Sequence, residues 1–125
     1  MKTLKNQSGF TLIELVLIIV ILGILAIVAI PKFVDISAEA NAAALKGVTG
    51  GMSSAMATNY AVRKANAAKG SPILNCTDVS TVLAGGVPTG YTVTTLAIAT
   101  DVTATCTVTQ TASTNTATFI GIGIP

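Results

Sequence analysis

Residues Gly9 to Ile19, GFTLIELVLII, open an apolar run that continues to Ile30. Within Phe10 to Ile30 only Thr11, Glu14 and Gly23 interrupt it. As an α-helix this stretch is about 31 Å long, the thickness of a bilayer core. One position is anomalous. A lone carboxylate in a bilayer costs about 2.5–3.5 kcal/mol even on lenient scales, so Glu14 needs a partner. Residues 1–8, MKTLKNQS, are polar and basic. A basic flank before a span keeps the amino end cytoplasmic. A secretory signal peptide fits poorly, because its small-residue cleavage site follows the apolar centre, whereas Gly9 precedes it here.

Totals narrow the function classes. Apolar residues make up 51% of the 125 and charged residues 10%. That balance is too apolar for a disordered chain and unusual for a small soluble enzyme. Residues 15–30 carry no charge, and residues 79–125 carry only Asp101. The formal charge is +2, but removing Lys2 and Lys5 with residues 1–9 leaves 5 Lys/Arg against 5 Asp/Glu. Such a neutral body lacks the basic footprint of a nucleic-acid binder. With no His, two Cys and scattered acids, no metal, cofactor or catalytic constellation is expected. No phosphate loop or nucleophile elbow is present either.

The residues Gly9-Phe10-Thr11-Leu12-Ile13-Glu14-Leu15 resemble the processing motif of type IV prepilins and of the pseudopilins of type II secretion. The resemblance covers residues 1 to about 36: a short basic leader, the Gly–Phe junction, Glu14 four residues later, Gly23 within the run, and Pro31 closing it. It implies that a membrane-embedded prepilin peptidase cuts between Gly9 and Phe10 and methylates the new Phe10 amine. It also implies partners: copies of the chain in a helical homopolymer, and an inner-membrane assembly platform with cytoplasmic ATPases. Glu14 then acquires a partner, the Phe10 amine of a neighbouring subunit. In a dry filament core each charge needs the other. The pair acts as a register device, as a single buried polar residue does in a coiled coil.

The expected fold is α+β: a long amino-terminal helix, kinked near Pro31, packed on an antiparallel sheet of about 3–4 strands with one disulfide. Its parts are a cleaved leader (1–9), a transmembrane and filament-core helix (10–30), an amphipathic continuation (31–69) and a β head (70–125). Gly23 and Pro31 mark the weakest helical stretch. It either kinks at Pro31 or, as in related filaments, loses helicity on assembly. Past Pro31 the helix is expected to reach about Asn66 and to show three stripes. Leu45, Val48, Met52, Met56 and Tyr60 are bulky; Ala43, Gly47, Gly51 and Ala55 are small; Asp35, Glu39, Lys46, Ser53 and Lys64 are polar. The bulky stripe should pack on the sheet, and the small one should face other helices. Gly47, Gly50 and Gly51 make local unwinding an option.

In an exported head Cys76 and Cys106 should be bridged. Closing that loop contributes about 3.5–4 kcal/mol in the chain-entropy model. A zinc site is a poor alternative without His. A short helix is expected at 78–84, capped by Thr77 or Asp78 and ended by Gly85-Gly86, with strands at 91–98, 103–110 and 116–124. Thr103, Thr105, Thr107 and Thr109 alternate with Ala104, Cys106 and Val108, giving one hydroxyl face and one buried face. The face is either plain solvated sheet or a surface for glycans or adhesion. The cysteine spacing is similar to pilins of the mannose-sensitive haemagglutinin branch. The leading function is a structural pilus subunit serving adhesion, motility or surface attachment; a type II pseudopilin is the alternative. The subunit would wait in the inner membrane and end in an extracellular pilus. An electron-conducting filament is disfavoured by only five aromatic residues.

Overall fold

The structure is a computed structural model and describes residues 8–125. The basic leader residues Lys2 and Lys5 lie outside the described residues. Helix α1 spans Leu12–Ala65, and the chain divides into a unit ending at Ala38 and a unit Glu39–Pro125. In the first unit the apolar side chains of α1 are exposed, including Ile13, Leu17, Ile21 and Leu25. This part of α1 is long and apolar enough to cross a membrane. The helix runs through Gly23 and Pro31 and on through Gly47, Gly50 and Gly51. Neither Pro31 nor the three glycines end or unwind it in the single subunit. Uninterrupted helix on both sides of Pro31 tolerates the missing amide, as one lost bond is small beside the rest of the ladder.

In the second unit α1 packs on a three-stranded antiparallel sheet of order β1-β2-β3. The strands are β1 (Tyr91–Val93), β2 (Thr103–Gln110) and β3 (Thr116–Ile122). Register places Thr109 between Thr92 and Thr116, and Cys106 beside Phe119. Leu45, Met52 and Met56 from the bulky stripe are buried against Val108, Cys106 and Phe119, with Val48 and Tyr60 half-buried at the margin. Each such side chain, fully buried, contributes about 1.5–3 kcal/mol of transfer energy.

Three boundaries depart from expectation. The strand expected over 91–98 stops at Val93, because the chain beyond Thr94 leaves β2 and pairs elsewhere. Asn75 bridges Ala97, and Thr100 bridges Gly123. The last strand stops at Ile122, and Ile124 pairs with Ile73. The expected helix over 78–84 is a 3-10 turn, Cys76–Asp78, running into the short helix α2, Val79–Val82. Asn75 caps the 3-10 turn; Asp78 holds the N-cap position of α2 but makes no side-chain capping bond to it. The Asn75 amide oxygen accepts from Thr77 N–H at 3.2 Å, and the Asp78 carboxylate accepts from Asn75 N–H at 2.8 Å. This reciprocal capping box moves the start upstream. Gly85 and Gly86 follow α2 with φ of +86° and +78°, which a glycine adopts without strain.

Candidate functional site

The amino-terminal motif is built by the first turn of α1. Ser8, Gly9 and Phe10 precede the helix and are exposed, Phe10 at 85%. Thr11 is the residue before the helix, and Glu14 is the third within it. The Glu14 carboxylate accepts from Thr11 N–H at 2.9 Å, and the Thr11 hydroxyl accepts from Glu14 N–H at 3.4 Å. Glu14 therefore has a hydrogen-bond partner within its own chain, Thr11. The signal was present in the sequence as Thr-x-x-Glu before an apolar run. A carboxylate in the first turn is also favoured by the helix dipole. Gly9, Phe10 and Glu14 lie together with Ser8 around one shallow depression.

Far along the sequence, Cys76 and Cys106 are joined in a disulfide with a Cα–Cα distance of 5.6 Å. Both are fully buried. The bridge ties the capped turn to the central strand. Asn75-Cys76-Thr77 fits a glycosylation sequon, but the Asn75 side-chain oxygen also accepts from Leu96 N–H at 3.2 Å, so this side chain is a structural junction. Thr103 and Thr105 are exposed and Thr107 and Thr109 half-buried, while Cys106 and Val108 point inward. The hydroxyl face thus follows the expected alternation.

Asp101 does not stand alone. Its backbone has φ of +61°, a conformation Asp tolerates better than most residues. Its carboxylate meets Lys64 Nζ at 2.6 Å and accepts from the Tyr60 hydroxyl at 3.1 Å. The Lys64 contact, then the Tyr60 bond, hold the Asp101 carboxyl below its ordinary range; the bond to Asp101 raises the Lys64 ammonium above its own. Both side chains are 48% exposed, so this is a screened surface pair rather than a poised catalytic group. Lys64 lies 5.5 Å from the Tyr60 ring centroid, a further weak attraction.

Next to Tyr60 in α1, buried Asn59 donates to Ser71 C=O and accepts from Ser71 N–H, both at 2.8 Å. Arg63 donates through Nε to Pro125 O at 2.9 Å, and through Nη2 to the same oxygen. Ser53 accepts from Ile120 N–H at 3.1 Å. Residues 53, 59, 60, 63 and 64 of α1 thus carry polar links to the head. Sequence periodicity did not single out Asn59 or Arg63. Among the described residues no group of three or more metal-ligating side chains comes together.

Comparison with known proteins adds the context. The prokaryotic N-terminal methylation motif matches residues 4–30. The type IV narrow pilus major component PilA5 of Thermus thermophilus is 39% identical over 98 residues, 78% of this chain and 78% of that protein. Type IV major fimbrial protein FimA of Dichelobacter nodosus is 43% identical over 52 residues, 42% of this chain and 33% of FimA. A fimbrial protein of Pseudomonas aeruginosa is 53% identical over 36 residues, 29% of this chain and 23% of its own length. The chain thus spans a third or less of the length of these two fimbrial relatives, but more than three quarters of PilA5. No solved structure matches it. An apolar amino-terminal helix, a disulfide-bonded α+β head and similarity along most of a pilus subunit lead to one conclusion: the chain belongs to the type IV pilin family.

Proposed function

We propose that this chain is a major pilin, a structural subunit that polymerises through α1 into a surface filament. The observation that carries the reading is its similarity to a pilus major component over 78% of both chains. The exposed apolar side chains of α1 supply the physical motive, since such a surface demands either lipid or copies of itself. On this reading residues 1–9 are a leader removed by a prepilin peptidase, and Phe10 becomes the methylated amino terminus. Residues 10–30 span the inner membrane before assembly and form the filament core after it, 31–69 continue the helix, and 70–125 form the outer head. Gly23 and Pro31 bound the stretch that can yield when helices crowd. An assembly platform and its ATPases drive growth. The finer placement in the mannose-sensitive haemagglutinin branch rests on cysteine spacing, and adhesion or motility follows from a filament presenting the head. A pseudopilin role is the weaker reading, because the named relatives are pilus and fimbrial proteins.

Glu14 offers the decisive test, because its two roles separate chemically. Glutamine at the third helical position still completes a capping box. It carries no charge to balance a neighbour's amine. Glu14→Gln should therefore keep the helix start, be cut after Gly9 and make fewer filaments, with a milder defect than Glu14→Ala. Glu14→Ala should lose filaments as well, since breaking a buried charge pair costs about 3–5 kcal/mol per subunit. Surface filament yield is compared with the membrane pool for each variant. Normal filaments from either variant would refute the pairing.

A further inference from the structure

We infer that Thr11 acts as a specificity-determining residue for leader removal by fixing where α1 begins. This inference rests on the processing reading above and adds to it a cause for the accessibility of the Gly9–Phe10 bond. A protease must draw a substrate backbone into an extended conformation between its catalytic groups, and a bond in the first helical turn is curled, with its carbonyl committed to the next turn. In the structure the helix starts at Leu12, directly after the Thr11 cap, and Gly9 and Phe10 stay outside it. The reciprocal bonds between Thr11 and Glu14 hold that boundary.

The boundary has a competitor in the same chain. Ser8 lies three residues upstream and belongs to the residue types that cap helices best. If Ser8 took the cap, Gly9 and Phe10 would become the first and second helical residues, and the bond between them would enter the first turn. Two features oppose that shift. Thr11 caps the present start, and Gly9 disfavours helix by about 1 kcal/mol relative to Ala. The glycine before the cut therefore does more than fit the protease: it discourages the helix from growing back over its own cleavage site. Phe10, 85% exposed, remains available for recognition.

The test uses the full-length chain produced in membranes with a prepilin peptidase, following the fraction cut after Gly9 over time by intact mass. Thr11→Val keeps the shape of threonine and loses the cap; Thr11→Ser and Thr11→Asn keep a cap and change the shape. Thr11→Val should be cut about fivefold more slowly, the population shift that loss of a cap ordinarily produces. Thr11→Ser and Thr11→Asn should be cut at the normal rate. Adding Ser8→Ala to Thr11→Val should restore the rate, because the competing cap is gone. Formation of the Cys76–Cys106 bridge in each variant reports that the head is made normally. A rate that follows side-chain size instead of capping ability, or Thr11→Val cut as fast as the parent, overturns the inference. A parent chain left uncut after Gly9 refutes the processing reading itself, and this inference with it.

Discussion

Replacing Asn59 with alanine removes two hydrogen bonds from one side chain, the donor to Ser71 C=O and the acceptor from Ser71 N–H, both at 2.8 Å. Asn59 is 7% exposed, so water does not readily take its place. Each bond contributes about 1 kcal/mol net, and a stranded buried partner adds to the loss. Ser71 is half-buried, which keeps that addition small. Alanine regains about 0.5 kcal/mol of helix propensity. The balance is a destabilisation of about 1.5–3 kcal/mol, or roughly 10–20 °C in melting temperature for a unit of this size. The assay is thermal unfolding of the full chain in detergent, followed by near-ultraviolet circular dichroism of Tyr60 and Tyr91. A double-mutant cycle sharpens it. Gly70 has φ of +74°, and a Cβ there would sit 2.6 Å from the Asn59 side-chain oxygen. Gly70→Ala should therefore cost less in the Asn59→Ala background than in the parent. A loss below about 0.5 kcal/mol for Asn59→Ala, or strict additivity of the two changes, would show that this clamp does not hold the loop.

Three other outcomes are expected. Replacing Cys76 and Cys106 together by alanine removes a bridge between residues 30 apart and should cost about 3.5–4 kcal/mol, read as lower subunit abundance and a lower melting temperature; an unchanged melt would contradict it. Gly123→Ala would drive a Cβ into the Ala99 carbonyl, so it should cost about 1–3 kcal/mol of overpacking, checked in the same melt. Asp101 is depressed and Lys64 raised, so the stabilisation from their pair is present between about pH 4 and pH 10. It fades as pH falls through the Asp101 value and as it rises through the Lys64 value. The protection factor of the Gly123 amide, bonded to Val102 O, that is, its exchange rate relative to the intrinsic rate at each pH, should fall at both limits, and Lys64→Met should flatten that dependence; an unchanged profile would count against the pair.

Local pattern alone settled the amino-terminal half. A charge-free run of Leu, Ile and Val of this length reads as a helix long and apolar enough to cross a membrane, and the fold makes it one. The stripe of Leu45, Met52 and Met56 was equally legible, since helical geometry puts those positions on one face whatever they meet. The Thr alternation of β2 likewise announced a strand with one wet and one dry side. The capping box at Thr11 and Glu14 was legible too, since it joins residues three positions apart. What only tertiary structure decided are the contacts that depend on chain return. Leu96 to Val102 has strand-like composition, but its backbone bonds go to Leu74, Cys76 and Gly123, which no local preference specifies. Asp101 looked solitary because Lys64 and Tyr60 are 37 and 41 positions away, on a helix that the fold lays beside it. Nothing local marks Asn59, and only the fold brings Ser71 within 2.8 Å of it. Propensity and periodicity act over one or two turns, whereas loop closure and core packing choose which distant groups meet.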